Sequence, residues 1–277
     1  MKIALCNEVL QPLPFVQQCA VASALGYDGL EVAPFTLAAN PLDISDAQAR
    51  GYARVARDHG LTITGLHWLL VAPSGLSMVS ADAALRRQTA DAMCRMVELC
   101  ALMEGRYLVH GSPKQRSVPP GASRQAALAR ARECLARAAH AAEQHGVTYC
   151  IEPLAQAETD LINTVAEAAQ LVDDIGSPAF KTMIDCSAAG QAEAEPVAEL
   201  FARWWPTGKI AHVQVNDPNR RGPGQGRMAF APILAALRRA GYDGVLAVEP
   251  FDYVPDGPGC AARAIGYLRG LLEAQDV

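Results

Sequence analysis

Four polar groups stand at the ends of short apolar runs in the second half of the sequence. Thr148-Tyr149-Cys150-Ile151 leads into Glu152-Pro153, and Lys181-Thr182-Met183-Ile184 leads into Asp185. His212-Val213-Gln214-Val215 leads into Asn216-Asp217, and Leu246-Ala247-Val248 leads into Glu249-Pro250. An ionised carboxylate at the end of an apolar strand is costly unless it is paired or bound to a cation. Three of them brought together repel one another, and a divalent metal is the simplest remedy. The donors are rich in oxygen and include no obvious cysteine. That set points to Mn2+ or Mg2+, with Co2+ or Zn2+ as alternatives. In the run at residues 209–216, strand alternation puts His212 and Gln214 on one face. Either could be a ligand there.

The remaining reactive residues sort by position. His59 precedes a helix-ending glycine, and His140 and His145 lie on a charged helical stretch; these three are set aside. His67 and His110 fall near strand ends, as His212 does. Cys186 follows Asp185 but has no neighbour that would lower its pKa. The GxSxG elbow of a serine hydrolase is absent from the sequence. The segment 217–227 is rich in glycine and carries Arg220 and Arg221, which reads as an active-site loop facing an oxygen-rich ligand. Residues 111–116 read either as an anion site or as a solvated basic loop.

Such side chains need a frame that gathers strand ends. Eight β-rich runs are predicted, at residues 2–7, 28–33, 61–67, 106–111, 147–152, 180–185, 209–216 and 244–249. Between them lie amphipathic helical stretches such as 81–103 and 123–146. Gly26, Gly60, Gly146 and Gly241 mark helix stops just before strands. One joint is used twice: Gly26-Tyr27-Asp28-Gly29 and Gly241-Tyr242-Asp243-Gly244. The expected fold class is α/β, a (β/α)8 TIM barrel, in one domain spanning 1–277. An open doubly wound sheet would carry a glycine-rich turn after its first strand, and NEVLQPLPF has none. In a barrel, function collects at the C-terminal strand ends.

Composition excludes other classes. The 277 residues are 51% hydrophobic and 19% charged, which rules out a disordered chain. The net charge of −5 disfavours a nucleic-acid surface. No run reaches the ~18 apolar residues of a membrane span. The N-terminal segment lacks the apolar core of a signal peptide. Eight scattered cysteines without a CxxC pair read as reduced thiols of a cytoplasmic protein.

The chain resembles the xylose isomerase-like barrels, a group that includes ketose 3-epimerases, hydroxypyruvate isomerases, inosose dehydratases and apurinic-site endonucleases. The resemblance covers most of the sequence. It is sharpest in IEPLAQAETDLINT (151–164), MIDCSAAG (183–190), HVQVNDPNRRGPGQGRMAFAPILAAL (212–237) and GYDGVLAVEPF (241–251). It implies that Glu152, Asp185 and Glu249 are metal ligands. In the epimerases the ligand on strand seven is a histidine six residues before an arginine. Here Arg220 makes that position Gln214, as in the hydroxypyruvate isomerases, so Gln214 is the expected fourth ligand. An amide oxygen favours Mg2+ or Mn2+. His212 would sit one pleat deeper and support the substrate site.

Glu158 and Arg220 would contact substrate oxygens, and His67, Trp68 and His110 would shape the pocket. Trp68 would either stack on a sugar face or pack in the core. Two departures blur the substrate: Ala188 replaces a sugar-contacting histidine, and Ala155-Gln156 replaces Asn-Arg. The implied activity is a metal-dependent sugar isomerase or epimerase acting on a ketose or related hydroxy-carbonyl compound. It would proceed through an enediolate, with Glu152 and Glu249 as the acid–base pair. A lyase or dehydratase of a keto-sugar or keto-inositol is the alternative on the same site. A non-catalytic sugar-binding barrel is a weaker one. The endonuclease branch needs more histidines than Gln214 and Ala188 leave. A homodimer or homotetramer is expected by resemblance.

Overall fold

Each apolar run becomes a strand within two residues of its predicted length. In the computed structural model, which describes residues 1–275, the strands are β1 (Lys2–Cys6), β2 (Gly29–Val32), β3 (Thr62–Leu66) and β4 (Tyr107–His110). They continue as β5 (Thr148–Ile151), β6 (Phe180–Asp185), β7 (Ile210–Val215) and β8 (Val245–Val248). Neighbours pair in parallel in sequence order, and β1 pairs β8, so the sheet closes on itself. The fold is therefore the expected (β/α)8 barrel. Residues 276 and 277 of the expected domain lie outside the described part.

The helices begin and end where their sequence signals stand. Asp82 accepts the N–H of Ala84 ahead of Ala83–Leu102, and Ser123 accepts that of Ala126 ahead of Arg124–His145. The repeated joint works the same way twice. Gly26 (φ 87°) and Gly241 (φ 69°) are left-handed, which suits glycine. The tyrosine that follows is buried in both cases and donates to a backbone carbonyl, Tyr27 to Ala261 and Tyr242 to Val245.

The main core lies between the sheet and the helices, with Leu30, Leu66, Leu108, Ile151, Val213 and Leu246 among its buried residues. A separate apolar group of Tyr107, Val109, Cys150 and Met183 packs together apart from that core. Cys150 and Met183 stand two residues before Glu152 and Asp185 and so on the same face, one pleat deeper. This group lies directly below Glu152 and Asp185. Among the described residues no helix is long and apolar enough to cross a membrane.

Candidate active site

Three carboxylates converge at the mouth. Asp185 closes β6, and Glu152 and Glu249 stand one residue beyond β5 and β8. One oxygen of each lies within 4.8 Å of the others. The two glutamates stay tied to the sheet through their main chains. The Glu152 N–H donates to His110 at 3.2 Å and the Glu249 N–H to Val215 at 3.4 Å. The strands are shorter than predicted because these end residues leave the ladder while their side chains turn into the mouth.

Each acid is held by specific neighbours. Asp185 Oδ1 accepts the N–H of Ala188 at 2.6 Å and caps helix Cys186–Ala192. Its Oδ2 accepts from Asn216 Nδ2 at 2.7 Å, and the same Asn216 amide donates to the Glu249 carbonyl at 3.0 Å. Oε2 of Glu152 lies against the end of β4, where a Cβ on Gly111 would stand 2.4 Å from it; glycine leaves room for the carboxylate. Glu249 Oε1 accepts from Trp68 Nε1 at 2.8 Å and lies 3.0 Å from His67 Nδ1. Among the described residues Glu249 Oε2 is buried with no donor.

Gln214 stands beside Asp185, because β6 and β7 pair these two residues in register. Its Nε2 donates to Glu31 Oε1 at 2.7 Å, and its own oxygen is buried without a donor. Burial, followed by repulsion from Glu249, pushes the carboxyls of Glu152 and Asp185 well above the usual range. Burial raises Glu249 to about 7, against the opposing hydrogen bond and charge of His67. Crowded, buried acids and two orphaned oxygens, on Glu249 and Gln214, are what a divalent cation would satisfy. The residues present fit an oxygen-liganded ion held by Glu152, Asp185, Glu249 and Gln214.

Beneath lies a polar layer that sequence reasoning missed. Glu31 is fully buried and accepts from Tyr107 at 2.6 Å and from Gln214; His212 Nε2 stands 2.9 Å from it. Burial alone would raise the Glu31 carboxyl, but His212, His67 and Tyr107 together hold it at about 2. Glu8, also missed, lies 3.0 Å from His67 Nε2. Cys6, Glu8, His67 and Glu249 form a second set of donors within 4.8 Å of one another. Both nitrogens of His67 already bridge Glu8 and Glu249, so this set is a hydrogen-bonded support for Glu249.

Two residues expected at the substrate site do not line the cavity. His212 is buried one pleat below Gln214 with its ring stacked on Tyr107, centroids 4.0 Å apart, and does not line the cavity. His110 is fully buried and bonds Tyr149 Oη at 2.6 Å, also away from the cavity. Burial, with the charge of Arg116, lowers it to about 3. Tyr107 and His110 are three residues apart on one strand and so face opposite sides. Tyr107 takes the interior. Cys186 is fully buried, does not line the cavity, and burial followed by Asp185 pushes its thiol well above the usual range.

A cavity of about 350 Å³ opens over Glu152 and Glu249. Glu152, Glu249 and His67 line its depth, and Trp68, Phe251 and Leu154 are among its apolar walls. Glu158 and Arg220 also line it. Arg220 is held by its backbone, since its carbonyl accepts the N–H groups of Phe251 and Asp252 at 2.7 and 2.8 Å. Its guanidinium lies 5.1 Å over the Phe251 ring. The basic stretch at 111–116 divides. Lys114 is exposed and lines the cavity, whereas Arg116 is fully buried and donates to the Glu152 carbonyl at 2.7 Å.

Known proteins share this architecture. The sequence profile of the xylose isomerase-like TIM barrel matches residues 19–271. D-psicose 3-epimerase of Agrobacterium fabrum (strain C58) is 29% identical over 243 residues, spanning 86% of this chain and 78% of that protein. Fructoselysine 3-epimerase of Shigella flexneri is 24% identical over 271 residues, 95% of each. A crystal structure of D-psicose 3-epimerase in the presence of D-fructose matches with a TM-score of 0.81 at 24% identity, over 98% of this chain and 99% of that one.

Proposed function

The chain belongs to the xylose isomerase-like TIM-barrel family, and from that premise we propose that it is a metal-dependent sugar epimerase acting on a ketose. Relatives named as 3-epimerases of psicose and of fructoselysine support this class of substrate. The observation that carries the reading is the meeting of Glu152 and Glu249. They come from β5 and β8, which are not neighbours, yet their oxygens lie within 4.8 Å of each other at the base of a sugar-sized cavity.

The two carboxylates divide the proton work. One removes the proton from the carbon next to the substrate carbonyl. The other returns a proton to the opposite face, which inverts that carbon. Asp185 and Gln214 would complete the ligand set, and a divalent ion bound there would supply Lewis-acid stabilisation for negative charge developing on the substrate oxygens. Glu158 and Arg220 hold hydroxyl oxygens at the outer end of the cavity, and the walls of Trp68, Phe251 and Leu154 exclude water. Ala188 in place of a histidine leaves one sugar contact fewer than in the resembling epimerases, so sugar preference differs from theirs.

Incubation with free ketoses in D2O and Mn2+ tests the reaction. The expected result is deuterium at one carbon beside the carbonyl, with a new epimer of unchanged mass apart from the label. Binding without any exchange into the carbon skeleton contradicts the reading. Loss of water from the product assigns an elimination instead.

A further inference from the structure

Trp68 directly follows His67 at the end of β3 and has a left-handed backbone, φ 52°. A bulky residue rarely adopts that conformation, and such strain persists only where the surroundings impose it. Here it brings the indole against Glu249, and Nε1–H donates to Oε1 at 2.8 Å. Phe35 and Phe251 brace the ring, with centroids 5.9 and 6.0 Å from it. His67 Nδ1 approaches the same oxygen at 3.0 Å and is itself fixed from behind by Glu8. Glu249 Oε1 therefore has two partners and Oε2 has none.

We propose that Trp68 is a positioning residue: together with His67 it clamps Glu249 by Oε1 and so fixes the direction in which Oε2 faces the site. This rests on the epimerase reading above. It differs from both roles expected for Trp68, since the indole edge is spent on the enzyme's own acid rather than on a sugar or the core. A carboxylate rotates about its last bond with little preference between its two oxygens. Two donors on one oxygen remove that freedom before substrate arrives, which is how pre-organisation accelerates a proton transfer.

Trp68→Phe keeps an aromatic wall and deletes only the N–H. With the ketose that exchanges fastest, kcat is expected to fall about ten- to a hundredfold, the size of a lost hydrogen bond to a charged group. KM and bound metal should stay close to those of the parent. A wall role alone would raise KM and spare kcat, and that result overturns the proposal. A second readout needs no turnover. The chain has three tryptophans, so 15N-indole labelling gives three N–H signals, and the one missing in Trp68→Phe belongs to residue 68. That signal is expected to shift in Glu249→Gln, where the acceptor loses its charge. A stationary signal with an inactive Glu249→Gln overturns the clamp alone. Full turnover in Glu249→Gln overturns the acid–base assignment and the clamp with it.

Discussion

Replacement of Glu152 or Glu249 by glutamine is expected to lower turnover by about 10²–10⁴-fold, the range for a lost general acid or base. At 1.36 kcal/mol per decade that is about 3–5 kcal/mol of barrier. Glutamine keeps the shape of the side chain, so each variant should fold. The metal-free Glu152→Gln variant should also melt no lower than the metal-free parent. The reason is electrostatic: Glu152 is raised first by burial and next by repulsion from Glu249 and Asp185, with only Arg116 opposing. Removing one of the three charges relieves the other two. Thermal melts in EDTA check the stability, and the deuterium assay checks the chemistry. Full activity in either variant removes that residue from the mechanism.

The second large effect is on the metal. Asp185→Ala is expected to take bound divalent ion from about one per chain to near none after dialysis, with loss of turnover. The parent should be stabilised by Mn2+ at a hundred times its dissociation constant by about 2.7 kcal/mol, and the variant not at all. Some stability is lost apart from the metal, about 1 kcal/mol, because Asp185 also caps helix Cys186–Ala192. The pH dependence has a definite sign. Glu249 is raised by burial from 4.5 to about 7, so folded protein binds this proton more tightly than unfolded protein does. Stability of the metal-free protein therefore falls as pH rises from about 4.5 to about 7. Saturating Mn2+ should flatten that fall, because the ion takes the place of the proton. Equal thermal shifts in the parent and in Asp185→Ala would separate Asp185 from metal binding.

The barrel was legible because its signals are local. Apolar runs, capping Asp82 and Ser123, and stop glycines such as Gly146 each act within a few residues of chain. The three acids were legible because charge at the end of an apolar run is conspicuous. Asn216 could have been found by the same alternation that linked His212 to Gln214. Other residues left no such trace. Glu31 lies inside a short strand, and only closure of the sheet turns its carboxylate onto Gln214 from the far side of the barrel. The face of His110 depends on whether it or Tyr107 enters the interior, which one strand cannot decide. The hydrogen bond between Trp68 and Glu249 spans 181 residues and depends on a left-handed backbone that no pattern of residue types announces. Arg116 looked like part of a surface loop, yet it is buried behind Glu152.

Crystals grown with Mn2+, with diffraction recorded to give the anomalous signal of manganese, test the shared-ion site most directly. One peak is expected, within coordination distance of carboxylate oxygens of Glu152, Asp185 and Glu249 and of the amide oxygen of Gln214. A peak held instead by Cys6, Glu8 and His67, or no peak between the four side chains at saturating Mn2+, would contradict it.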